Sequence, residues 1–562
     1  MRIPVVYLKP KDELWRLFVC LFLISLTGCG NVSTKTETHE KPTALLNNLG
    51  KHHYPVSTSI PASQRYFDQG LILAYGFNHA EAVKSFQEAY RQDPHCAMCY
   101  WGEALVLGPN INAPMAASVV PQAYRALQHA QGLAANATEK EQALIAALAK
   151  RYSQTAMPDR KPLDEAYATA MREVAGRFPD DAVIASLFAE ALMDLHPWNF
   201  WTKQGQAQPW TQEIVDTLEH ALKLDADNPL ANHLYIHAME ASPYAERAIP
   251  SAHRLPELVP GSGHLVHMPA HIYIRTGRYR DAISANQHAV KIDQAYLSHD
   301  HSESVYTLAY VPHNYHFLWA AAIKTGRKQL ASEAATNAAA QVKPELLRDP
   351  AFGGTLQHFT LLPLYTKTLF GDWDAILRES QPAADLLYPT GVWHYARGLA
   401  LLRNGKFDEA AVELKQLESI IRNPAINKLT IFGLNPIKTI MQIAAAILQG
   451  ELAAQHKDYD KALTHLQRAV ALEDGLNYTE PKDWYLPPRQ VLGALLLEAG
   501  QAGKAEQVYK QDLIYHPQNG WSLYGLVQSL KKQGKTREAE STNQQFKRVW
   551  EDADFVLHGS RT

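Results

Sequence analysis

With 562 residues, 46% of them hydrophobic, the chain can bury a large core, which excludes wholesale disorder. A formal net charge of −3 and the absence of a long basic run leave no electrostatic footprint for nucleic acid.

The N-terminus reads as a targeting segment. Lys9, Lys11 and Arg16 precede the apolar run Leu17–Leu26, about ten residues long, which is too short to span a bilayer and suits a signal-peptide core. The run ends in Leu26-Thr27-Gly28-Cys29, which resembles the lipobox of bacterial lipoproteins. That resemblance implies removal of residues 1–28 as a lipoprotein signal peptide, lipidation of Cys29 and export. The expected location is the cell envelope, lipid-anchored at the periplasmic face of the outer membrane, with the anchor as the sole membrane contact. A general secretory signal with a chance cysteine is the alternative. Asn31–Pro61 is polar and lacks an apolar helical period, so residues 29–62 are expected to form a flexible tether. Cys96 and Cys99 are then the cysteines left in the body.

Repeats begin near Ser63. The stretch YFDQGLILAYGFNHAEAVKSFQEAYRQDP has the helix–turn–helix pattern of a tetratricopeptide (TPR) unit, and HCAMCYWGEALVLG opens the next helix. Pro109–Met157 is helical but irregular, and His196–Trp210 is a Trp- and Pro-rich loop expected to act as a lid or insertion. Residues 63–226 therefore form N-terminal TPR-like repeats with an irregular insertion. Beyond them the period is arithmetic. Gly371 to Gly405, Gly500 to Gly534 and Ala248 to Ala282 are each 34 residues, one TPR period. Gly277 to Gly326 is 49, so this unit carries an insertion, read as His299–Tyr310. These spacings predict central repeats over 227–345 and C-terminal repeats with a capping helix over 346–553. The expected class is all-α, a TPR-type superhelix (α-solenoid) with essentially no β-sheet.

The central repeats concentrate histidine. Residues 233–316 hold 11 of the 25 histidines. GHLVHMPAHIYIRTG puts His264, His267, His271 and Arg275 on one helical stripe, since a helix turns about 100° per residue. Subtracting 34 from His267 and His271 gives His233 and His237; adding 49 to His264 and His267 gives His313 and His316. Glu240 lies on the His233/His237 stripe. First helices line the concave face of a TPR superhelix and pack about 8–10 Å apart, so these imidazoles can converge. Neutral imidazoles suit zinc or copper. His233, His237, Glu240, His264, His267, His271, His313 and His316 are thus the candidate metal ligands, with Glu240 or Tyr273 supporting them from behind. Without metal, the same column could bind a carboxylate or aromatic ligand, and solitary histidines are more often structural. Pro269 removes an amide donor and is expected to bend the central helix.

His95, Cys96 and Cys99 sit at a helix start, where a disulfide, a second metal site and two reduced thiols are all open readings. Trp393, His394 and Arg397, with Trp484, Tyr485 and Arg489, combine aromatics with arginine and form a candidate groove for a peptide or carboxylate; packing aromatics with solvated arginines is the alternative. No Gly-rich phosphate loop or serine elbow is present in the sequence.

Together HCAMCYWGEAL, HLYIHAMEAS, GHLVHMPAHIYIRTGRY, PHNYHFL, WHYARG and DWYLPPRQ resemble a family of large bacterial TPR-domain proteins over Ser63–Lys547. The resemblance implies a helical solenoid and no settled activity. The sequence reading is therefore an exported, lipid-anchored TPR solenoid binding a ligand, a metal ion or an envelope protein or peptide partner in a His-rich concave groove. Its rivals are a metal-dependent hydrolase or oxidoreductase with Glu240 as general base, and a pure interaction scaffold. Cys29→Ala is expected to leave the protein unacylated and shift it from the membrane to the soluble fraction, read by lipid labelling and fractionation.

Overall fold

The computed structural model describes residues 43–157, 159–298 and 304–562. Residues 1–28 and Cys29 lie outside that range, as do His299 and His301 of the insertion. No helix among the described residues is long and apolar enough to cross a membrane.

The chain is a succession of antiparallel helical hairpins, from Pro61–Tyr75 with His79–Gln92 to Gly520–Lys532 with Thr536–Val549. The repeat glycines explain the register. Gly277, Gly326, Gly371, Gly405, Gly500 and Gly534 all have φ between 70° and 75°. Each lies two residues beyond the end of a first helix. That position turns the chain into the left-handed region, where a Cβ clashes with the following carbonyl and glycine does not. The amide of Arg278 closes the motif by donating to the Tyr273 carbonyl at 2.7 Å. Lys457 (φ 59°) and Phe77 (φ 56°) occupy the same place without being glycine, and the first helix Pro229–Glu240 is followed there by no positive-φ residue.

Three first helices carry the histidines. Pro229–Glu240 is buried at every residue. The central helix is interrupted at Met268, giving Gly263–His267 and Pro269–Arg275, as the missing Pro269 amide donor requires. Val311–Lys324 is entered through a π-type turn, Tyr306–Tyr310. Asp293, on helix Tyr279–Leu297, fixes this turn by accepting from the Tyr306 hydroxyl at 2.7 Å and from the Asn314 amide at 2.6 Å. Gly263 is obligatory beside it, because a Cβ there would lie 1.9 Å from Asp293 Oδ1.

The chain ends close back on these helices. The Trp521 indole donates to the Ile323 carbonyl at 2.8 Å, Arg280 pairs with Glu551 at 2.8 Å, and the Gln329 amide donates to Asp554 at 2.9 Å. At the other end, the described part of the expected tether belongs to the folded body. Residues 43–60 pack on the first hairpin: Leu49 and Tyr54 are buried, the Leu46 amide donates to Gln69 at 2.8 Å and the Tyr54 amide to Asp68 at 3.1 Å. Two buried side chains in a polar stretch were too few to register as a period. Among the described residues, the expectation of essentially no sheet holds but for one two-residue antiparallel ladder, Thr430–Ile431 with Asn435–Pro436, and two isolated bridges. Its turn carries Phe432 and Gly433, both at positive φ.

Gly405 isolates the backbone cost of the repeat turn, since a Cβ there would meet nothing within 4 Å. Gly405→Ala is expected to lower unfolding free energy by about 1–2 kcal/mol, whereas Lys457→Gly at the matching position should not lower it. Urea denaturation of the two variants checks both signs.

Candidate metal centre

Six histidines from the three helices converge: His233 and His237, His264, His267 and His271, and His313. Five are fully buried and His313 is half-buried. Their polar partners follow one pattern. His233 Nδ1 meets the Tyr75 carbonyl at 2.6 Å, His237 Nδ1 meets Glu240 Oε1 at 2.6 Å, His271 Nδ1 meets Glu240 Oε2 at 2.7 Å, and His267 Nδ1 meets Asn286 Oδ1 at 2.8 Å. The Asn286 amide nitrogen is already donating to the Ala282 carbonyl at 2.7 Å, so its oxygen faces His267 as an acceptor. All four partners accept. Each Nδ1 therefore carries the hydrogen, and in the neutral ring each Nε2 carries the lone pair.

The Nε2 atoms turn toward one another. His267 Nε2 and His271 Nε2 are 3.0 Å apart, and His233 Nε2 and His264 Nε2 are 3.2 Å apart. For His267 and His271, both fixed at Nδ1, two lone pairs at that distance repel unless a proton or a metal ion sits between them, whereas His264, with no acceptor at Nδ1, can donate from Nε2 to His233. His237 Nε2, His264 Nδ1 and His313 Nδ1 are buried without a protein partner, which leaving a polar atom dry makes costly. Burial drives the pKa values of His233, His264, His267 and His313 well below the ordinary imidazole value, and the neighbouring histidines push the same way. Neutral rings are the metal-binding form.

Glu240, expected as a ligand or general base, forms with His237 and His271 a group that could hold an ion, and it also makes hydrogen bonds that orient the cluster. Both its oxygens are engaged: beyond the two histidines, the Tyr478 hydroxyl donates to Oε2 at 3.0 Å. Burial alone would raise its pKa, but His271 and His237 outweigh that and hold it ionised, below the usual carboxylate range. The carboxylate thus stands behind the rings and orients them. Tyr273, the other expected support, lies under the Arg278 guanidinium instead. The residues that fill this role and escaped sequence reading are Asn286, Tyr478 and the Tyr75 carbonyl. His316 does not join the cluster. Its ring faces His358 at 5.2 Å and Phe359 at 5.8 Å, because the neighbouring helix is offset by about a turn and brings His313, not His316, against His267 at 5.1 Å.

Aromatic residues enclose the imidazoles. Phe77 contacts the rings of His233, His237 and His264, Trp198 meets His237 edge-on at 5.3 Å, and Phe432 approaches His313 at 6.0 Å. All three have positive φ, 56°, 59° and 51°. For a bulky residue this conformation costs on the order of 1–3 kcal/mol. Phe77 is telling, because six other repeats put glycine there. The loop His196–Trp210, expected as a lid or an insertion, lies beside the site: Trp198 meets His237, Trp201 donates to the Ala238 carbonyl at 2.7 Å and His196 stacks on Trp210.

The other candidate residues are consumed by the fold. Cys96 and Cys99 are joined in a buried disulfide, and His95 is exposed beside it. The six C-terminal residues do not form an open groove. Trp484 and Tyr485 are core residues packed on Tyr365 and Tyr395. Arg489 is bidentate to Asp474 at 2.7 and 2.8 Å. Arg397 and His394 share Glu413, and the Trp393 indole donates to the Glu379 carbonyl at 3.1 Å. Stacked first helices bury these faces against the next repeat, which sequence spacing does not distinguish from a concave surface.

A scan against protein-family profiles and a search of curated proteins found no match. Among solved structures, the chain is similar to a human IFIT1 dimer with m7Gppp-AAAA at 12% identity, with 88% of this chain and 92% of that chain covered and a TM-score of 0.32. It is also similar to the APC/C hetero-tetramer Cut9–Hcn1, at 12% identity, 88% of both chains and a TM-score of 0.28. Yeast Tom70 follows at 12% identity, 84% and 89% coverage and a TM-score of 0.28. Scores this low add nothing to the geometry above.

Glu240→Ala is expected to strand two buried N–H groups, on His237 and His271, at about 1–3 kcal/mol each. Tyr478→Phe removes one hydrogen bond and is expected to cost about 1 kcal/mol. Denaturation midpoints of the two variants should rank accordingly.

Proposed function

We propose that this chain is a metal-binding α-solenoid whose histidine cluster holds zinc or copper inside the closed superhelix. One observation carries the reading: four imidazoles from two adjacent first helices are held at Nδ1 by acceptors, so their Nε2 lone pairs are directed at common points. An unpartnered ring nitrogen alone does not mark a ligand, since buried His316 and His358 have them too; here the free Nε2 atoms of His267 and His271 also converge, with a carboxylate or amide oxygen fixing the other nitrogen, as in metal-binding histidines. The ligand type, imidazole without thiolate, suits zinc or copper over calcium or magnesium. The strained Phe77, Trp198 and Phe432 support a site under functional constraint rather than a packing accident. They also favour, as a second reading, a metal-dependent enzyme with an enclosed apolar approach. Glu240 would then position ligands and would not act as the general base.

The buried Cys96–Cys99 disulfide supports an oxidising compartment. With the Leu26–Cys29 motif it supports a lipid-anchored protein of the cell envelope. A protein or peptide partner would have to bind elsewhere than Trp393–Arg397 and Trp484–Arg489, whose polar groups are largely engaged internally.

Purified protein is expected to carry zinc or copper by elemental analysis. His237→Ala, His267→Ala and His271→Ala should each lose metal while keeping helical circular dichroism, and exposed His288→Ala should lose neither. Metal at about a thousandfold over its dissociation constant is expected to stabilise the fold by about 4 kcal/mol, and a chelator to reverse this. Wild-type protein that binds neither metal would refute the reading.

A further inference from the structure

The six imidazoles divide into two sets of three. His233, His237 and His264 each offer a ligand atom within 4.8 Å of the others, and so do His267, His271 and His313. Each set contains one of the short Nε2 contacts, 3.2 Å between His233 and His264 and 3.0 Å between His267 and His271. Two ligands at about 2.0–2.1 Å from one zinc stand about 3 Å apart when they subtend an angle between square and tetrahedral. Both contacts therefore have the span of two donors sharing one ion.

Each set also has its own phenylalanine. Phe77 lies 4.6, 6.1 and 5.3 Å from the rings of His233, His237 and His264. Phe317 lies 4.5, 4.4 and 4.8 Å from those of His267, His271 and His313. One aromatic ring thus packs against all three members of each set. Between the sets stands Glu240, which holds His237 of the first with one oxygen and His271 of the second with the other, at 2.6 and 2.7 Å. The sets adjoin, with 5.4 Å between the His237 and His271 rings and 5.7 Å between those of His264 and His267.

We infer that the cluster is a dinuclear centre: His233, His237 and His264 hold one zinc or copper ion, and His267, His271 and His313 hold a second. The inference rests on the metal-binding reading above and deepens it. A tetrahedral ion accepts four protein donors at most, so six imidazoles exceed one site. Three histidines per ion is the donor number of sites that keep a position open for water or substrate. Two such positions facing each other would let one small ligand bridge both ions. Glu240 could itself join His237 and His271 in holding an ion, but both its oxygens already accept from those rings and from Tyr478, which makes it the positioning residue that couples the two shells.

Counting separates the two claims. Metal-depleted full-length protein is titrated with zinc by equilibrium dialysis, and with Cu(II) under electron paramagnetic resonance. Wild type is expected to bind two ions per chain, and the copper signal that grows over the first equivalent should broaden or vanish with the second through coupling. His264→Ala and His313→Ala should each bind one ion, and the double variant none. One ion per chain in wild type overturns the dinuclear site and leaves the metal-binding reading standing; none overturns both. Two ions with isolated, uncoupled copper signals, or a second ion that neither variant removes, also overturns the dinuclear site. Because the count and the coupling are read on wild type, a variant that fails to fold does not protect the inference.

Discussion

A single buried carboxylate sets the terms for the centre of this molecule. Glu240 is fully buried and ionised, and a bare charge there would cost several kcal/mol. Three donors surround it, the imidazoles of His237 and His271 and the phenol of Tyr478. Meeting its need for donors fixes both rings in one tautomer and one orientation. The same contacts turn the opposite ring nitrogens inward. Electrostatic satisfaction of one residue thus specifies the geometry of its neighbours, and the local conformation of Pro229–Glu240 and Pro269–Arg275 is built to deliver the partners.

That arrangement requires closure of the superhelix. An open TPR groove would leave the histidine faces in water, where imidazoles rotate and carboxylates are solvated. Here the first hairpin contributes the Tyr75 carbonyl and Phe77, and the loop after Tyr459–Asp474 contributes Tyr478. C-terminal contacts such as Trp521 with Ile323 hold the ring shut. The dry interior lowers the imidazole pKa values and strengthens each remaining polar contact. Conformational strain at Phe77, Trp198 and Phe432 is tolerable because each is held by this enclosure.

The closed form also explains why aromatic–arginine clusters outside the centre carry no site. Between stacked repeats, an arginine without a carboxylate partner would be an uncompensated buried charge. Arg489 and Arg397 are paired accordingly, with Asp474 and Glu413, and each also lies over an aromatic ring, Tyr515 and Trp393. A side-chain composition suited to recognition is equally suited to cementing one repeat to the next.

The sequence by itself determined the helical hairpins and their register, since these depend on interactions within about one turn. Apolar spacing selects the buried faces, and glycine at Gly277, Gly326 or Gly405 selects the left-handed turn whatever lies beyond it. It also determined that His233, His237, His264, His267, His271 and His313 lie on neighbouring helices, because the repeat register, 34 residues and then 49 across one insertion, carries equivalent positions to equivalent faces. Only the tertiary structure decided which nitrogens meet. The one-turn offset that brings in His313 and leaves out His316, and the pairing of Tyr478 with Glu240 across 238 residues, both depend on how the solenoid closes. Closure is the sum of contacts between distant repeats, and no local spacing encodes it.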